Sequence, residues 1–153
     1  MRKKPGKRKN IYYQAQAILS RRDHAEAEVR MKLAHKQFAL PEIEEAVAWL
    51  YKQHLLDDDH FAQAYAESVL LGKPVGRRYI AAKLQQKGVK PAAITQAIEQ
   101  VFNRRSEKEL VQDAIARWRR AHTTTKNSRD KLYRFLASRG FSLDIITEVL
   151  ADV

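Results

Sequence analysis

Ile80-Ala-Ala-Lys-Leu84-Gln-Gln-Lys87-Gly88-Val89 is the stretch that decides the fold, because its pattern stands twice more in the chain. It recurs as Val29-Arg-Met-Lys-Leu33-Ala-His-Lys36-Gln37-Phe38 and as Leu132-Tyr-Arg-Phe-Leu136-Ala-Ser-Arg139-Gly140-Phe141. Leu33, Leu84 and Leu136 are 51 and 52 residues apart. Ten residues beyond each leucine come Ile43, Ile94 and Ile146, and fourteen beyond come Val47, Ile98 and Leu150. A basic residue, Lys36, Lys87 or Arg139, follows each leucine by three. Apolar columns that return at a fixed period of this size mark a repeat architecture.

Each unit reads as helix, turn, helix. Gly88 and Gly140 stand where a helix ends in a left-handed residue, a conformation glycine adopts without a Cβ clash. Gln37 fills the same place in the first unit, so that turn is either built differently or strained by about 1 kcal/mol. Pro41 and Pro91 suit the first positions of the helices that follow, and Ser142 is placed to cap the last one, with Asp144 in its first turn. A further helix precedes each pair, over residues 11–21, Asp58–Leu71 and Ser106–His122. Phe61, Ala64, Tyr65, Ser68 and Val69 show the spacing of one helix face. The chain is therefore expected to be all-α, an elongated array of three tandem three-helix repeats and nine helices. Repeat 1 covers 11–56, repeat 2 covers 57–103 and repeat 3 covers 104–153, after a basic, flexible tail over 1–10. A unit of about 50 residues buries little surface by itself, so neighbours are expected to pack and share a core.

The 153 residues contain no cysteine, which excludes disulfides and thiolate metal sites. No apolar run reaches the roughly 18–20 residues that cross a bilayer, and the basic N-terminus leads into no apolar segment. A soluble, cytoplasmic monomer without cofactors is the expectation. The formal net charge is +11, with +6 in residues 1–10 and −6 in residues 42–68. Residues 69–103 carry +5 and residues 104–139 carry +7. Basic residues concentrate on the second helices: Arg30, Lys32 and Lys36; Arg77, Arg78, Lys83 and Lys87; Arg129, Lys131, Arg134 and Arg139. Arg21 and Arg22 end the first helix, and Arg117, Arg119 and Arg120 flank Trp118, whose indole is expected in the core beside Ala114, Ile115 and Ala121. These cations are the candidate contacts to a polyanionic partner.

A DNA-reading helix-turn-helix would insert the last helix of a unit into the major groove. Those helices carry Glu42, Glu44 and Glu45, or Asp144, Glu148 and Asp152, which phosphates repel. No phosphate-binding loop motif occurs; Gly72-Lys-Pro-Val-Gly76 has the wrong spacing. Asp57-Asp-Asp-His60 precedes an amphipathic helix and reads as its cap rather than as a metal or carboxylate site. Asp23-His-Ala-Glu26 reads as a capping box. No catalytic constellation emerges, and no enzyme is expected.

Ser20-Arg-Arg-Asp-His-Ala-Glu-Ala-Glu-Val29, Leu56-Asp-Asp-Asp-His-Phe-Ala62 and Gly76-Arg-Arg-Tyr-Ile-Ala-Ala-Lys-Leu-Gln-Gln-Lys-Gly-Val89 resemble the RecX family of bacterial RecA regulators, in order and with matching spacing. The polybasic tail and Gln37 depart from that pattern. The resemblance implies an array of three-helix repeats and a non-enzymatic role. The implied partner is the RecA nucleoprotein filament, whose groove such proteins occupy. Its extension, ATPase, strand-exchange and coprotease activities would fall. The competing expectation is a sequence-independent protein that binds single- or double-stranded DNA and competes for it.

Overall fold

The computed structural model describes residues 10–152, and among them it contains nine helices and no strand. They are α1 (Ile11–Arg21), α2 (Glu26–His35), α3 (Leu40–Lys52), α4 (Asp58–Gly72), α5 (Arg77–Gln86), α6 (Pro91–Arg104), α7 (Glu107–Ala121), α8 (Ser128–Ser138) and α9 (Leu143–Ala151). The tail expected over 1–10 lies outside the described residues except Asn10, whose side chain caps α1 by accepting from the Tyr12 N–H at 3.0 Å. Within each repeat the first and third helices pack together and the second lies against the third. The contacts between repeats join the first to the second, as Glu26 N–H to Asp58, and the second to the third, as Gly76 N–H to the Arg139 carbonyl.

All three second helices end in the same turn. Gln37, Gly88 and Gly140 have φ of 69°, 76° and 78°. In each case the next residue, Phe38, Val89 or Phe141, donates its N–H back to Leu33, Leu84 or Leu136. The first turn is thus built like the others, with a glutamine in a conformation that favours glycine. Glycine is required more strictly where repeats meet. A Cβ on Gly88 would stand 2.4 Å from the Ala27 Cβ, and one on Gly140 only 2.2 Å from the Tyr79 nitrogen. The N-terminal turns of α2 and α5 are therefore pressed against the glycine turns of the repeats that follow them. The second junction is tied further by the Gly76 N–H donating to the Arg139 carbonyl at 2.9 Å and the Arg78 N–H to the Gly140 carbonyl at 3.2 Å.

The shared core expected throughout is continuous over the last two repeats and reaches the first through Ala25. Residues from Phe61 to Leu150 form one continuous cluster, including Ile80, Leu84, Leu110, Leu136 and Ile146, which also takes in Ala25 of the first repeat. The first repeat has its own cluster around Val29, Leu33, Ile43 and Leu50, closed by Leu56. Of the residues named for the Trp118 environment, Ala114 and Ile115 are buried with it while Ala121 is exposed; the indole stacks on His122 at 4.4 Å instead.

Two capping expectations need correction. Asp23 is exposed and does not cap α2, which starts from Ala25 with no side-chain cap of its own. The acceptor comes from the next repeat, where Asp58 Oδ1 takes the Glu26 N–H at 2.8 Å. Asp57 does cap α4, accepting from the His60 N–H at 3.1 Å. Ser142 stands at the start of α9, but its backbone N–H donates to Glu107 Oε1 at 2.9 Å and its hydroxyl makes no cap.

Candidate binding surface

The structure divides the sixteen candidate cations by what they touch. Five sit in ion pairs. Arg22 meets Glu28 at 2.8 Å, Arg30 meets Glu26 at 3.0 Å and also Glu44, and Arg117 meets Asp113 at 3.3 Å. Arg77 and Lys87 reach across the junctions, Arg77 to Glu107 of the third repeat at 3.4 Å and Lys87 to Glu28 of the first at 3.9 Å. Glu107 is 4% exposed, so Arg77 neutralises a carboxylate that burial would otherwise penalise. Burial pushes Glu28 toward protonation, but its hydrogen bond from Arg22 and the charges of Arg22 and Lys87 prevail and hold it below its ordinary range.

Lys32 donates to His24 Nε2 at 2.8 Å. An ammonium has no acceptor, so Nε2 must accept, and Nδ1 then carries the ring proton and donates to the Arg22 carbonyl at 2.8 Å. Burial lowers the His24 pKa, and the neighbouring charges of Arg22 and Lys32 add to that. Arg21, Lys32 and Lys36 line an open groove of about 740 Å³ along α1 and α2.

Arg21, Lys36, Arg78, Arg119, Arg120, Arg129, Lys131 and Arg134 are exposed and make no ion pair among the described residues. They occur on all three repeats.

Lys83 and Arg139 are brought together with two residues that the charge pattern of the second helices did not single out, Lys73 and Tyr79. Lys73 Nζ donates to the Tyr79 hydroxyl at 2.6 Å and lies 4.6 Å from its ring centroid; Lys83 Nζ lies 5.5 Å from the same centroid. The Lys73 hydrogen bond lowers the Tyr79 pKa against the opposing effect of burial, and the charges of Lys73, Lys83 and Arg139 add to the lowering. Lys73 belongs to the Gly72–Gly76 segment, whose Pro74, Val75 and Gly76 are buried. Only the stacking of repeat 3 on repeat 2 brings Arg139 to it.

Among the described residues no group of three or more His, Asp or Glu side chains could hold a metal ion. No helix among them is long and apolar enough to cross a membrane.

These features define a class of protein: a tandem three-helix repeat whose surface chemistry is cationic and distributed over every repeat. Comparison with known proteins narrows it. The family descriptions "RecX, first three-helix domain", "RecX, second three-helix domain" and "RecX, third three-helix domain" match residues 12–50, 57–98 and 109–150. Regulatory protein RecX of Chlorobaculum tepidum is 33% identical, over 95% of this chain and 89% of its own length. That of Chromobacterium violaceum is 30% identical, over 94% and 90%. The crystal structure of RecX from Lactobacillus salivarius superposes with a TM-score of 0.82 at 23% identity, covering 93% of both chains. The chain belongs to the RecX family and is a RecX-type regulator.

Proposed function

We propose that this RecX-type regulator binds along the groove of the RecA–DNA filament and inhibits its extension, ATPase, strand exchange and coprotease activities, as a cytoplasmic monomer and without catalysing a reaction. The observation that carries this reading is the recurrence, on each of three tandem repeats, of exposed cations that make no ion pair among the described residues: Arg21 and Lys36, then Arg78, then Arg129, Lys131 and Arg134. Each such contact to a screened surface is worth under about 1 kcal/mol. Linked on one chain, later contacts become intramolecular, and avidity on a polymer rises by roughly 10²–10⁴. Arg77 and Lys87 also tie the junctions through Glu107 and Glu28, and their accessible side chains remain candidate contacts to the partner.

The test is ATPase decay of a preformed RecA filament. Replacement of Arg78, Arg129, Lys131 and Arg134 by Glu should raise the half-inhibitory concentration at least tenfold with helicity unchanged. An unchanged inhibition curve from a folded variant would remove these faces from the interface. The competing mechanism, capture of DNA away from RecA, predicts that inhibition disappears at the same salt concentration as binding to free DNA.

A further inference from the structure

We propose that Lys73 and Lys83 beside Tyr79, together with Arg139 across the junction of the second and third repeats, hold a phosphate group of a nucleic-acid backbone. The argument comes from comparing the two junctions position by position. Counted from the aligned leucines Leu33 and Leu84, Arg22 corresponds to Lys73, Glu28 to Tyr79 and Lys32 to Lys83. Lys87 and Arg139 are likewise equivalent, each three residues after its leucine.

At the first junction the constellation is complete. Glu28 is gripped by Arg22 of its own repeat at 2.8 Å and approached by Lys87 of the next at 3.9 Å. At the second junction Lys73 makes the matching contact, 2.6 Å, but to a neutral phenol. Arg139 comes from the next repeat at the position of Lys87: its carbonyl accepts from the Gly76 N–H at 2.9 Å, its guanidinium lies over the Phe135 ring at 5.1 Å, and its charge reaches the Tyr79 hydroxyl. All four side chains are half-buried, and none of the three cations has a carboxylate within ion-pair distance among the described residues. The chain supplies an anion to one junction and leaves the other for an external one.

The kind of anion follows from the surroundings. Lys73 and Lys83 lie over the Tyr79 ring, so that ring is not a platform for stacking a base. A docked peptide would need apolar pockets for its side chains, and the aromatic rings here, Tyr79 and Phe135, carry the ammonium groups of Lys73 and Lys83 and the guanidinium of Arg139. What remains is a set of donors from ammonium, guanidinium and phenol groups, the types that position a backbone phosphate without reading sequence. The site is also held in place before any ligand arrives. Gly140 is packed against Tyr79 too closely to admit a Cβ, and two backbone hydrogen bonds fix Arg139 and Gly140 against Gly76 and Arg78.

The inference stands apart from the filament reading, since it is tested on DNA with no recombinase present. Binding of labelled oligo(dT) is followed by fluorescence anisotropy across a salt series. The variant K73Q/K83Q/R139Q should lower the slope of log K against log salt by about 2, or about 0.7 per cation removed from a single-strand contact. K52Q/K90Q/R104Q removes the same charge elsewhere and should change the slope by much less. Y79E rebuilds the first junction's arrangement at the second and should reduce oligo(dT) affinity at least tenfold while preserving helicity. If the triple variant does not fold, K83Q alone must lower the slope by about 0.7. An unchanged slope in a folded cluster variant, or one equal to the control's, overturns the proposal. So does polyglutamate that displaces oligo(dT) from the wild type at equal charge, which would mark the junction as a site for acidic protein segments.

Discussion

Replacing Gly140 by alanine is the sharpest probe of how the repeats are joined. Its φ of 78° places a Cβ in the left-handed region, which costs about 1–2 kcal/mol for a non-glycine residue. That cost would exist in an isolated turn. The junction adds another, because the new Cβ would stand 2.2 Å from the Tyr79 nitrogen, 2.7 Å from its Cβ and 2.9 Å from its Cα. Two of those atoms are backbone, so no rotamer change relieves the overlap and α5 must move away from α8. Overpacking of this kind costs about 1–3 kcal/mol. Separation also stretches the Gly76–Arg139 and Arg78–Gly140 backbone hydrogen bonds, each worth about 0.5–1.5 kcal/mol. G140A should therefore lose about 3–8 kcal/mol in urea unfolding followed by circular dichroism. Hydrogen exchange should show the loss concentrated in α5 and α8. Q37G supplies the comparison: Gln37 has φ of 69° but is exposed. Relief of left-handed strain is offset there by glycine's entropy in the unfolded chain, giving a net gain of about 0.5–1 kcal/mol. G140A within 1 kcal/mol of the wild type, or a destabilised Q37G, would refute the claim that glycine serves both the turn and the junction.

At the first junction, G88A should lose about 2–5 kcal/mol, and A27G in the same chain should restore the part due to the 2.4 Å contact; no coupling in the double-mutant cycle would assign the loss to the turn alone. D58A should cost about 0.5–2 kcal/mol and expose the α2 amides to exchange, although Asp58 lies on α4. D58N should stay closer to the wild type at pH 7, since it keeps an acceptor and removes a charge that burial disfavours, burial being the main reason the Asp58 pKa is raised. His24 has a folded pKa below its ordinary 6.5, so the unfolded chain binds the proton more readily between the two values. Its contribution is then complete above about pH 6.5 and falls as pH drops through the folded pKa. Urea midpoints at pH 7.5 and 5.0 should differ more for the wild type than for H24Q, and parallel behaviour would clear His24 of the effect.

Helix number, repeat period and turn position were legible because each is a local property. Apolar spacing around Leu33, Leu84 and Leu136 defines a buried stripe, and residues such as Gly88 and Gly140 end helices by conformational preference. What could not be read was anything that one repeat supplies to another. Asp58 looks like a cap for α4 because it stands at that helix's start; its role on α2 exists only once two repeats stack. The boundary between the two cores is equally silent in sequence, since Ala25 gives no sign that it belongs to its neighbour's. Charge was legible as a quantity but not as an arrangement. Arg77 and Arg78 are adjacent and look alike, yet Arg77 reaches Glu107 at 3.4 Å while Arg78 makes no ion pair among the described residues.

The column Lys36, Lys87 and Arg139 shows why arrangement matters more than count. A cation at the end of a helix is favoured by the carbonyls there, so the column would exist even without a partner. Its chemistry is set by what stacks against it. Lys87 approaches a carboxylate, Glu28, at 3.9 Å and lies over the Tyr65 ring. Arg139 lies over the Phe135 ring and has no ion pair among the described residues, so its charge is left to act outward. Lys36 is exposed and makes no ion pair among the described residues. One conserved geometry within a single chain thus yields an internal tie, a candidate anion site and an open contact. The substitution that separates the first two is Glu28 against Tyr79. A basic repeat protein of this build presents most freely to its partner those cations that its junctions do not answer, and the difference between its junctions is where selectivity among anions can arise.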